Sequence, residues 1–132
     1  MPPSNVDVVR AVVDAFNRAD FTAAMEMCTD DVEFDWSRRM LDGEVFRGRE
    51  DAGRFLQTIM EIFEEIHIPA DELTDLGDGV VLLVGTARFK GRVSGLDVEA
   101  RAANLWNVRD GKISRFRFYQ TKEEALADAA TS

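Results

Sequence analysis

Cysteine is almost missing from this chain. Of 132 residues only Cys28 is a cysteine, which excludes an internal disulfide framework. It sits in an apolar helical stretch, so a buried structural thiol is expected rather than a nucleophile. Histidine is as scarce, with His67 alone. One imidazole and one thiol make a poor transition-metal set, so no metal and no cofactor is expected. No Ser-His-Asp arrangement is legible, no Gly-rich phosphate loop, no repeat and no low-complexity tract. Basic residues are the minority: 16 Lys and Arg against 25 Asp and Glu leave a formal net charge of −9. That balance disfavours nucleic acid and anionic membranes as partners. No apolar run approaches the ~20 residues that span a bilayer. The opening MPPSNVD has neither the basic start nor the apolar stretch of a secretion signal. A cytoplasmic protein is therefore expected.

What is present is an ordinary globular composition, 45% apolar, in a length that suits one domain over residues 1–132. Val98 to Gln120 reads as two antiparallel strands joined at Arg109-Asp110-Gly111-Lys112, because Asp-Gly supplies positive φ at low cost. Ser4 and Asp7 form a capping box for a helix to about Ala19, with Val6, Val9, Val13 and Phe16 at helical spacing and Val12 widening the stripe. Asp20 caps a second helix through Cys28. Val32 to Trp36 alternates as a short strand, and Ser37 to Gly48 reads as a loop. A long amphipathic helix follows from Arg49 to Ile66. An extended stretch to Leu76 contains Pro69, which confines it to an edge. Val80 to Lys90 is a long strand. Thr121 to Glu124 is a capping box for a short C-terminal helix over Glu123 to Ala129.

The fold class this order predicts is α+β: a cone-shaped, curved antiparallel sheet, with the three helices of the N-terminal half on its concave face and a short C-terminal helix. The inside of such a cone is a natural pocket. Alternation assigns Trp36, Arg88, Asn104, Trp106, Phe118 and Gln120 to inward positions. Val12, Phe16 and the loop Ser37 to Gly48 are expected to close the space. The expected occupant is an apolar small molecule, oriented by Arg88, Asn104 and Gln120. The opposite face would carry Phe89, Leu105, Tyr119, Arg101, Arg115 and Arg117, an interface-like mixture of rings and Arg.

The segments AVVDAFNRADFTAAMEMCTDDVEF, FRGREDAGRFL and NLWNVRDGKISRFRFYQ, in that order, resemble the nuclear-transport-factor-two-like superfamily, its SnoaL-like and ketosteroid-isomerase-like branch. The resemblance covers nearly the whole chain. It implies a cystatin-like fold, a small-molecule pocket and a homodimer packed through the convex sheet face. It also implies where catalytic groups would stand. The isomerase-like base position is occupied by Trp36, with Asp35 one residue earlier. Asp35 would act as base only if a bulge turned it inward. Val12 stands where the family has Tyr, and Asn104 where it has an Asp that hydrogen-bonds the enolate. An amide can still donate to a carbonyl, so Asp35 and Asn104 are the candidate catalytic residues. Arg88 matches the epoxide-hydrolase-like Arg, but Lys90 and Phe118 replace its carboxylates. Two functions stay open: an isomerase, cyclase or hydratase on a carbonyl-bearing apolar substrate, or a non-catalytic ligand-binding or protein-interaction module. The direction of Asp35 and Asp42 separates them.

Overall fold

The computed structural model describes residues 4–37, 45–68, 71–93 and 95–131, apart from the side chain of residue 102. The greater part of the expected loop Ser37 to Gly48, with Asp42, and the edge residue Pro69 lie outside the described residues.

The chain begins with α1 (Asn5–Asn17), and Ser4 caps it as the sequence predicts. The Ser4 hydroxyl accepts from the Asp7 N–H, and the Asp7 carboxylate accepts from the Ser4 N–H. α2 (Phe21–Glu26) follows, capped by Asp20. Then β1 (Cys28–Asp35) starts four residues earlier than alternation alone suggests. The reason is long-range: Cys28 already pairs with Ile113. β2 (Val45–Arg47) falls inside the expected loop and pairs antiparallel with β1.

α3 (Gly48–Ile62) is shorter than the expected Arg49 to Ile66. Its apolar period runs on into FEEIH, yet those residues form β3 (Phe63–His67) along the edge of β5 (Val80–Gly91). Backbone pairing with that edge, and packing of the Phe63 ring on Phe89 at 5.2 Å, outweigh the local helical pattern. Ile62 consequently ends 53% exposed instead of core-facing.

β4 (Glu72–Gly77), β5, β6 (Asp97–Arg109) and β7 (Lys112–Tyr119) complete the sheet. α4 (Lys122–Thr131) ends the chain. The sheet order is β2-β1-β7-β6-β5-β3, with β4 also on β5. The sheet is curved and open, and its pairs are antiparallel except one. β1 runs parallel to β7, which a string of consecutive hairpins does not predict. Asp110 and Gly111 have φ of 53° and 77°, the turn the Asp-Gly dipeptide signals.

The core divides between the two faces. On the concave side α1 contributes Val9, Val12 and Val13, α3 contributes Ala52 and Leu56, and the sheet contributes Phe34, Val81, Leu83, Trp106, Phe116 and Phe118. On the convex side α4 packs Ala125 over Leu82, Val84, Ala103, Leu105 and Tyr119. Leu105 and Tyr119, expected to meet a second copy, are thus covered by the chain's own last helix. No helix among the described residues is long and apolar enough to cross a membrane.

Candidate functional site

Register decides which residues look into the concavity, because paired residues share a face. Val81 pairs with Trp106, and Trp106 with Phe116. Leu83 pairs with Asn104, and Asn104 with Phe118. These rows lie on the concave side with the helices. Trp36 joins them from the end of β1: its indole stacks on Phe118 at 4.6 Å and meets Phe116 at 5.7 Å and Phe55 of α3 at 5.1 Å. Phe16 of α1 reaches Trp106 at 6.4 Å, and Val12 is fully buried beside it in the same cluster. Val12, Phe16, Trp36, Asn104, Trp106 and Phe118 therefore come together.

Arg88 and Gln120 do not join them. On β5 the inward residues are Val81, Leu83 and Ala87, so Arg88 falls on the convex side and pairs with Glu99 at 3.5 Å. Its side chain is 70% exposed. The same parity moves Phe89 to the concave side, against the expected interface face. Gln120 lies just past the end of β7 and is exposed. Asp35 also points outward. It pairs in register with Arg117, lies 3.9 Å from the Arg115 guanidinium, and accepts from the Ser37 N–H and hydroxyl. The bulge in the β1–β7 pairing falls between Cys28 and Glu33, too early to turn Asp35 inward.

The interior these residues form is filled by rings. Within it, among the described residues, three donors have no hydrogen-bond partner: Trp36 Nε1, Trp106 Nε1 and Asn104 Nδ2. Asn104 is 1% exposed and Trp106 2%. A buried donor without a partner costs about 1–3 kcal/mol, so three in one neighbourhood are a concentrated expense. They surround the Phe116–Phe118 pair, since Asn104 and Trp106 are alternate residues of β6 and Trp36 packs on both Phe rings. Sequence reasoning placed both Trp residues as apolar walls. Their N–H groups were the overlooked part, although an inward Trp always brings a donor that wants a partner.

Among the described residues the buried polar or charged side chains are Asn104 and Arg117, and Arg117 lies on the convex side. The buried members of the concave cluster are apolar apart from Cys28. Burial pushes the Cys28 thiol up to about 12, against weaker downward pulls from Arg49 and Lys112. The thiol donates to the Ala24 carbonyl at 3.3 Å. Among the described residues no group of three His, Cys, Asp or Glu side chains is placed to hold a metal ion. A groove of about 410 Å³ lies between β2 and α3, lined by Val45, Phe46, Asp51, Arg54, Phe55 and Thr58. Its inner wall is Phe55, the ring that packs on Trp36.

Solved structures share this architecture. An NTF2-like protein of unknown function from Burkholderia pseudomallei K96243 is 21% identical, with a TM-score of 0.77 over 95% of this chain and 97% of its own. TerC, crystallised with polyporic acid, is 19% identical, with a TM-score of 0.75 over 97% and 98%. A protein of ketosteroid isomerase-like fold from Catenulispora acidiphila DSM 44928, in complex with trimethylamine, is 15% identical, with a TM-score of 0.77 over 98% and 95%. At these identities the likeness is one of fold. No curated protein matches the chain. The SnoaL-like domain model matches residues 9–116. The chain belongs to the SnoaL-like domain family.

Proposed function

We propose that the protein binds a mostly apolar, carbonyl-bearing small molecule in the concave interior. The observation that carries this reading is the trio of unpartnered buried donors, Trp36 Nε1, Asn104 Nδ2 and Trp106 Nε1, in an otherwise apolar enclosure. A ligand oxygen would satisfy groups that the folded chain leaves unsatisfied. Rings around the donors supply the apolar contact. The groove between β2 and α3 reaches Phe55, whose ring packs on Trp36. TerC's polyporic acid and the Catenulispora protein's trimethylamine support a small-molecule role for the fold.

Of the two classes, binding without acid–base catalysis has the better support among the described residues, which do not include Asp42. An isomerase, cyclase or hydratase needs a titratable group beside the ligand. Asp35 faces the other side of the sheet, and the Cys28 thiol stays protonated at neutral pH. Asn104 can polarise a carbonyl oxygen but cannot remove a proton.

The test is a thermal-shift and tryptophan-fluorescence screen with flat apolar ketones and carboxylic acids, repeated on Asn104→Leu. Hits that raise the melting temperature and lose affinity about tenfold or more in Asn104→Leu are the expected result, as one buried polar contact decides that much. Unchanged affinity in Asn104→Leu removes Asn104 from the site. The absence of any hit overturns the reading.

Homodimer formation is a separate proposal. α4 covers Leu105 and Tyr119, so a second copy would meet the part of the convex face around Thr86, Arg88, Glu99 and Arg101. Light scattering at micromolar concentration reads the outcome, and a monomer rejects it.

A further inference from the structure

We draw no further inference here: the strongest candidate, the exposed apolar patch that Ile62, Val93, Leu96 and Val98 form where the end of α3 meets the β5–β6 hairpin, is an unpartnered face, and nothing in the structure shows what covers it.

Discussion

At Gly79 the backbone has φ +78°, and a Cβ there would lie 2.7 Å from the Val108 carbonyl oxygen. The close approach is made by a hydrogen bond, Val108 N–H to the Gly79 carbonyl at 2.7 Å. Gly79→Ala therefore combines a left-handed backbone with a clash against backbone, and a loss of about 1–3 kcal/mol in urea unfolding is expected. Asn104→Leu should act in the opposite direction. It replaces an unpartnered buried amide by a hydrocarbon of similar size, so unfolding without ligand should become harder by about 1 kcal/mol while ligand response is lost. Cys28 gives a pH signature. Its pKa rises from an ordinary 9.0 to about 12 on folding, so the neutral thiol is the form the fold favours. The stabilisation is fully present below pH 9 and is lost as pH rises through 12. Between those limits wild type should lose stability relative to Cys28→Ala by up to about 1.4 kcal/mol per pH unit. Urea midpoints of the two proteins at pH 7.5 and pH 10 check it, and equal midpoint changes would refute the buried-thiol account.

Among the elements, α4 is attached by alanines and a polar clasp. Its Asp128 accepts from the Tyr119 hydroxyl and, at 3.3 Å, from the Arg117 guanidinium, which also donates to Asn107. Arg117 is 2% exposed, so Asp128→Ala leaves a buried guanidinium without that carboxylate. A loss of about 3 kcal/mol is expected, together with faster hydrogen exchange in α4. Retained protection across α4 would show that the alanine packing holds it alone. This clasp was invisible in sequence, because a convex face carrying Leu105, Arg117 and Tyr119 reads equally well as an interface. By contrast α1 was legible from Ser4 and Asp7, and the β6–β7 hairpin from Asp110 and Gly111, since capping and turn chemistry are local. β5 was legible as a strand, but its facing was not. Val81, Leu82, Leu83 and Val84 are all buried, so alternation offers no contrast, and the inward placement of Arg88 failed on that ambiguity. Trp36, Asn104, Trp106 and Phe118 share the concave side: β1 and β7 alternate apolar with charged residues in sequence, and pairing with β7 sets the facing of β6, whose residues from Ala103 to Trp106 are all buried. β3 was hidden inside a helical period that only a neighbouring strand edge could override.

For the molecule as a whole, the pairing of β1 with β7 matters most. It joins Cys28 to Ile113 and Asp35 to Arg117, and among the described residues it is the one parallel pair of the sheet. A chain ended after Asp110 keeps all the concave helices but loses β7, and with it Phe116 and Phe118 from beneath Trp36. No cooperative unfolding transition is expected for it, by circular dichroism or by tryptophan fluorescence. A sigmoidal melt in that fragment would mean that the helices and the remaining strands form a domain without β7. The same pairing has a consequence on the ribosome. At about 5–20 residues per second, the 76 positions from Asp35 to Gly111 (111 − 35) take roughly 4 to 15 seconds to translate. Throughout that interval β1 is finished and β7 does not yet exist. Val32, Phe34 and Trp36 then stand on an unclosed strand edge, which makes the nascent chain a natural client for chaperones that hold exposed hydrophobic strands until the last hairpin emerges.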